Sequence, residues 1–143
     1  MNAEEGLAFV DTNVLLYAYD RTAGERHRRA AALVGELGAR RRGAISVQVL
    51  QEFYVNATRN IAQPLGHDVA LGRVRTLSRW ALHEPRARDV VGAIQLASSA
   101  QLSFWDAMIV TSAGTLGCEV LWSEDLNDGQ VIAGVTIHNP FSL

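Results

Sequence analysis

The chain has 143 residues, 48% of them hydrophobic, and 13 basic against 15 acidic side chains leave a net charge of −2. This length and composition predict one compact domain with a hydrophobic core over residues 1–143. The chain has no apolar run of the ~20 residues that a membrane span needs, so we expect a soluble, cytoplasmic protein with no membrane partner. Every basic residue is arginine and Cys118 is the sole cysteine, which excludes lysine-dependent chemistry, an internal disulfide and a cysteine-rich zinc site.

The first half of the chain alternates between strand and helix patterns. Short apolar runs predict strands, and apolar residues at intervals of three and four predict amphipathic helices. Ser46 is expected to cap the helix that carries Glu52. The predicted elements are a strand at 7–10, a helix at 14–18, a helix at 25–37, a basic turn at 40–42, a strand at 44–45 and a helix from 47 to about 57.

The same alternation continues to the end of the chain. The predicted elements are a helix at 68–79, a strand at 81–84, a helix at 87–100, a loop at 102–105, a mostly buried helix from Asp106, a strand at 120–122 and late strand structure at 131–138. Strands that alternate with helices are typical of a mostly parallel sheet covered on both faces. The predicted fold class is therefore α/β, as a three-layer α/β/α sandwich.

Acidic residues fall at particular places in this pattern. Asp11 follows the first strand, Asp125 follows the strand at 120–122, and Asp106 opens the buried helix. Because ligands bind beyond the carboxyl ends of parallel strands, we expect these carboxylates to meet in one crevice, with Glu52 joining them from its helix. An aspartate at a helix start is more often a cap than a ligand, but Asp106 stands beside apolar residues, which favours capping together with ligation.

Four carboxylates close together would raise one another's pKa values unless a strong positive charge were present. A divalent cation supplies that charge, and oxygen ligands favour Mg²⁺ or Mn²⁺ over zinc. The pattern therefore points to metal-assisted phosphodiester chemistry.

Four motifs in order resemble the PIN-domain family, most closely its VapC-like toxins. They are Val10-Asp11-Thr12-Asn13, Leu50-Gln51-Glu52-Phe53-Tyr54, Ser103-Phe104-Trp105-Asp106-Ala107 and Trp122-Ser123-Glu124-Asp125-Leu126-Asn127-Asp128-Gly129. The ending Asn139-Pro140-Phe141 is also similar to that family.

This resemblance implies a PIN-like sandwich and a Mg²⁺- or Mn²⁺-dependent endoribonuclease that acts as the toxin of a toxin–antitoxin pair. It implies that the catalytic residues and metal ligands are Asp11, Glu52, Asp106 and Asp125. It gives Asn13 and Ser123 a supporting role that we assign to orienting carboxylates or waters. Asp128 is either a fifth acid or a turn residue beside Gly129, and the turn is slightly favoured. The implied partners are an RNA substrate, a cognate antitoxin and a second copy of the chain in a homodimer.

Several other side chains have two interpretations. Arginine clusters at 26–29, 40–42 and 73–79 either bind RNA phosphates or are solvated helix faces, and the second is more common. Trp80, Trp105 and Trp122 are expected to pack in the core, with base stacking as the lesser alternative. Scattered histidines make a zinc site improbable.

Two other enzyme-like families also have an aspartate after the first strand, but both need residues that this chain lacks. A haloacid-dehalogenase-like phosphatase would need an acid where Asn13 stands and also a lysine, and a receiver domain would need a late lysine. The remaining alternative is a catalytically inactive PIN-like module that binds RNA or an antitoxin. The complete set of four acids favours the enzyme.

Overall fold

A computed structural model describes residues 6–142, and within that range the chain forms alternating strands and helices. The elements are β1 Ala8–Val10, α1 Thr12–Tyr19, α2 Glu25–Ala39, β2 Gly43–Ser46, α3 Val47–Arg59, α4 His67–Leu77, β3 Ala81–His83, α5 Ala87–Ala100, α6 Phe104–Thr115, β4 Val120–Trp122, β5 Val131–Ile132 and β6 Val135–His138. None of the helices within residues 6–142 is both long and apolar enough to cross a membrane.

The strands form one mostly parallel sheet in the order β3-β2-β1-β4-β6-β5. β1 lies at its centre, where Phe9 pairs in parallel register with Ala44 on one side and Leu121 on the other. β5 pairs antiparallel with β6 at the edge. β2 and then β3 follow on one side of β1, whereas β4, β6 and β5 lie on its other side. The connection from β1 to β2 and the connection that follows β4 therefore run in opposite directions along the sheet. A crevice forms at such a switch point, beyond the carboxyl ends of the two strands.

Helices cover both faces of the sheet. Every residue of β1 and of β2 is buried, which requires packing on both sides of these central strands. The helices form two groups, α1 to α4 and α5 with α6, and α6 packs against β2, β3, β4 and β6. The predicted α/β class and mostly parallel sheet are confirmed.

The predicted loop at 102–105 is wrong, because α6 begins at Phe104. Ser103 is the residue that caps it, since its Oγ accepts a hydrogen bond from the backbone N–H of Asp106 at 3.1 Å. Asp106 is therefore the third residue of the helix, and its predicted capping role is wrong. Its carboxylate is left available for another function.

The predicted strand region at 131–138 is divided into β5 and β6. Ala133 and Gly134 have φ values of 49° and 82°. Two successive residues with positive φ make the tight turn that suits a two-residue β-hairpin. The prediction overlooked this break because only one of the two residues is glycine.

The three tryptophans differ in burial. Trp80 and Trp122 are half-buried and pack against the core, as predicted. Trp105 is 61% exposed, so its predicted place in the core is wrong. The reason is the helix start, which puts Trp105 in the exposed first turn of α6 beside the buried residues that follow. Cys118 is buried, and burial raises the pKa of its thiol to about 12.

Candidate active site

All four predicted acids line one small cleft of about 160 Å³ at the carboxyl edge of the sheet. The lining residues are Asp11, Thr12, Asn13, Gln48, Glu52, Asn56, Trp105, Asp106, Ile109 and Asp125. The topology explains this convergence, because β1 and β4 are neighbours and α3 and α6 begin at the same edge. The structure thus brings together side chains that are as far apart in sequence as Asp11 and Asp125.

Asp11 is the most buried of these acids, with 6% of its surface exposed. Its Oδ1 accepts from the backbone N–H of Thr12 at 2.7 Å, and its Oδ2 accepts from the hydroxyl of Ser123 at 2.9 Å. Burial raises the pKa of Asp11 to about 6 against the opposing effect of these two hydrogen bonds, and the nearby charges of Asp125 and Asp106 add to the rise. Ionisation of Asp11 is therefore less favourable here than in water, and a cation close to it would offset this cost.

Glu52 reaches the cleft from the first half of α3. Its Oε1 accepts from the hydroxyl of Thr12 at 2.6 Å, and its Oε2 accepts from the amide of Gln48 at 3.4 Å. Sequence reasoning missed both partners. Gln48 could have been found, because it precedes Glu52 by four residues and therefore lies on the same face of the helix.

Asp125 is held in the loop after β4 by two polar residues. The amide of Asn13 donates to its Oδ2 at 3.0 Å, and its backbone N–H donates to the Oγ of Ser123 at 3.1 Å. Burial and the neighbouring charges of Asp106 and Glu124 raise the pKa of Asp125, while the Asn13 hydrogen bond lowers it. The orienting role predicted for Asn13 and Ser123 agrees with these contacts, since Ser123 joins Asp11 to the Asp125 backbone.

Asp106 is half-buried in the first turn of α6. Within residues 6–142, no side chain donates a hydrogen bond to its carboxylate. Its place in the first turn puts it close to the free backbone N–H groups at the start of α6. Asp106 is thus the acid of the cleft with the most coordination capacity left.

Asp128 lies outside the cleft. It occupies a turn with Gly129, and its Oδ1 accepts from the backbone N–H of Asn139 at 2.9 Å. These contacts fit the turn interpretation, and Asp128 is not among the residues that line the cleft.

The loop that carries Asp125 is also fixed by a network that the sequence did not reveal. Arg26 forms an ion pair with Glu124 at 2.6 Å, and its guanidinium lies over the rings of Tyr17 and Phe141. The hydroxyl of Tyr17 donates to the other oxygen of Glu124 at 3.3 Å. Arg26 therefore has a structural role, which differs from both interpretations of its cluster, RNA binding and a solvated helix face.

The donor set suits a hard divalent cation. Within the described part of the chain, no three His, Cys, Asp or Glu side chains are arranged so that they could hold a metal ion by themselves. Mg²⁺ usually binds to one or two carboxylates and keeps several waters, so it does not require such a cage. Oxygen-only donors and the mutual repulsion around Asp11 fit Mg²⁺ or Mn²⁺ better than zinc.

Two larger cavities, each of about 520 Å³, lie elsewhere on the surface. Their linings contain arginines and aromatic rings but no carboxylate. Of these three cavities, the smallest is therefore the one whose lining contains carboxylates.

Comparison with known proteins identifies the family. The PIN domain model matches residues 8–128. A toxin–antitoxin complex from Klebsiella pneumoniae matches with a TM-score of 0.67 and 21% identity, over 95% of this chain and 99% of that one. The toxin VapC20 of Mycobacterium tuberculosis matches with a TM-score of 0.62 and 21% identity, over 82% of this chain and 91% of that one. DNA-bound VapBC from Salmonella typhimurium matches with a TM-score of 0.66 and 18% identity, over 94% of this chain and 98% of that one. No curated protein matches the chain. These likenesses in structure agree with the match of the family model, and the chain belongs to the PIN domain family.

Proposed function

We propose that this protein is a Mg²⁺- or Mn²⁺-dependent endoribonuclease that hydrolyses RNA phosphodiester bonds. The observation that carries this proposal is the meeting of Asp11, Glu52, Asp106 and Asp125 in one cleft at the switch point of the sheet. A divalent ion bound there would activate water and stabilise the charge that develops on the phosphate.

The residues of the cleft have different roles in this proposal. Asp11 and Asp106 would hold the ion, because one is a buried carboxylate in need of a cation and the other has no competing side-chain donor. Glu52 and Asp125 complete the negative site. Thr12, Asn13 and Ser123 fix the directions of the carboxylates through hydrogen bonds, as supporting groups around metal ligands commonly do.

The biological role proposed is that of the toxin in a toxin–antitoxin pair. Similar structures include the sarcin-ricin-loop-cleaving toxin VapC20 and a DNA-bound VapBC complex. By analogy we propose a cognate antitoxin as partner, a homodimer, and action in the cytoplasm, where RNA substrates are found. The 143 residues would act as one nuclease domain. An inactive module that binds RNA or an antitoxin is less favoured, because such a module needs none of the four acids.

The direct test is RNA cleavage with and without divalent ions. We expect the purified protein to cut total RNA at discrete internal positions in Mg²⁺ or Mn²⁺, and to lose all cutting in EDTA. Addition of excess Mn²⁺ should restore the same cleavage sites, as mapped by sequencing of the new RNA ends. Cleavage that persists in EDTA would contradict metal dependence, and binding without any cleavage would favour the inactive module.

Ser123→Ala is expected to lower kcat by about 10- to 100-fold without abolishing cleavage, the usual cost of losing a group that orients a metal ligand. Ser123 is fully buried and joins the Asp11 carboxylate to the Asp125 backbone. Steady-state cleavage of a defined oligoribonucleotide over a range of Mg²⁺ concentrations would measure the effect. Ser142→Ala, at an exposed position, is the matched control. Equal rates for both variants would show that Ser123 does not position Asp11.

A further inference from the structure

The indole of Trp105 is exposed at the edge of the acidic cleft. It has 61% of its surface in contact with solvent and lines the cleft next to Asp106. Trp80 and Trp122, by contrast, are half-buried against the core. A tryptophan exposed beside a binding cleft is a sign of recognition, because its large apolar surface gains free energy when a ligand covers it.

The backbone of Trp105 is held by polar contacts, and its ring packs on one neighbouring ring. Ser103 caps the helix two residues before it, and the ring of Phe104 contacts it edge to face with centroids 4.9 Å apart. The Gln48 amide also points toward the Trp105 carbonyl, at a long 3.5 Å. A ring held in this way can bind a planar group without a large loss of side-chain freedom.

The charge of the cleft limits how it can bind RNA. Its lining contains four carboxylates and no arginine. Phosphates approaching this surface are repelled by the carboxylates except where a cation intervenes. Contacts with the uncharged faces of the bases avoid this repulsion, and stacking on aromatic side chains is the common form of such contact in proteins that bind single strands.

We propose that Trp105 is the stacking platform for an unpaired RNA base next to the cleaved bond. The proposal rests on the nuclease function proposed above. A base inside a duplex already has both faces covered, whereas bases in loops and ends are free to stack on an aromatic side chain. Trp105 is a positioning residue in this account, and the chemistry stays with the acids.

The test measures RNA binding separately from cleavage. In an Asp11→Asn background, the affinity for a fluorescent single-stranded oligoribonucleotide is compared for Trp105, Trp105→Phe and Trp105→Leu by anisotropy. We expect the leucine variant to bind about 10-fold more weakly and the phenylalanine variant to keep most of the affinity. The fold-decrease in affinity caused by Trp105→Leu should be the same at low and high salt, because base stacking releases few counterions. Val131→Ala, at a residue that is 63% exposed on the edge strand, is the control.

Catalysis supplies a second measurement in the otherwise unchanged protein. Trp105→Leu should raise KM for a single-stranded substrate by a similar factor, and a fully duplex substrate should be cut poorly by every variant. Unchanged KM and affinity in Trp105→Leu would overturn the stacking proposal while leaving the nuclease intact. Equal losses of affinity in the leucine and phenylalanine variants would overturn it too. A change in the oligomeric state of Trp105→Leu, measured by light scattering, would also overturn it, because Trp105 would then be a contact between protein chains. Absence of cleavage by the unmodified protein would instead contradict the nuclease function, and the binding comparison would still decide the role of Trp105.

Discussion

Asp106→Asn is expected to lower the rate of metal-dependent RNA cleavage by about 1000-fold or more. The substitution keeps the size of the side chain but removes one negative charge from the cleft. It should not harm the fold, because the Asp106 side chain is half-buried and accepts no hydrogen bond from the side chains described, and because Ser103 provides the helix cap. The loss would therefore be specific to activity.

The measurement is single-turnover cleavage of a defined RNA, together with the thermal unfolding midpoint. Asp68→Asn is the matched control, since it makes the same chemical change at an exposed position in the first turn of α4. Both variants should unfold within about 2 °C of the unmodified protein, as surface substitutions usually do. Retained cleavage in a rigorously purified Asp106→Asn protein would remove this residue from the active site.

Asp11→Asn is expected to lower the rate of cleavage to a similar extent but, unlike Asp106→Asn, to make the fold more stable. Asp11 is buried, its ionised form is disfavoured there, and two other carboxylates act on it. Asparagine still accepts from the Thr12 N–H and carries no charge. In metal-free solution the variant should therefore unfold a few degrees higher, which corresponds to about 1 kcal/mol.

Thermal unfolding in EDTA and in Mg²⁺ would separate the two effects of this substitution. The midpoint of the unmodified protein should rise with Mg²⁺, because a ligand that binds only the folded state stabilises it. The midpoint of Asp11→Asn should be higher in EDTA and insensitive to Mg²⁺. A variant that is less stable in EDTA would show that the hydrogen bond from Ser123 outweighs the buried charge.

The convergence of the acids in one cleft was predictable because it depends on the topology of the sheet and not on individual side-chain contacts. Once Asp11 and Asp125 were placed after strands of a parallel sheet, the rule that ligands bind beyond the carboxyl ends of strands brought them together. β4 was predicted with its observed bounds, and α5 likewise. The spacing of apolar residues in these two segments can be read directly from the sequence.

The contacts that complete the site were not predictable from the sequence. The bond from Thr12 to Glu52 and the pair of Arg26 with Glu124 join residues 40 and 98 positions apart. Thr12 meets Glu52 because α1 packs against α3, and Arg26 of α2 meets Glu124 in the loop after β4. Trp105 was misplaced for a local reason, since the helix was assumed to begin at Asp106 and the Ser103 cap was overlooked.

Anomalous diffraction from crystals grown or soaked with Mn²⁺ would test the central claim most directly. The account predicts a Mn²⁺ peak in the cleft, with oxygens of Asp11 and Asp106 among its ligands at distances normal for a hard divalent ion, and no such peak in Asp106→Asn crystals. Fully occupied Mn²⁺ at another surface with the cleft left empty, or a peak that is unaffected by the substitution, would contradict it.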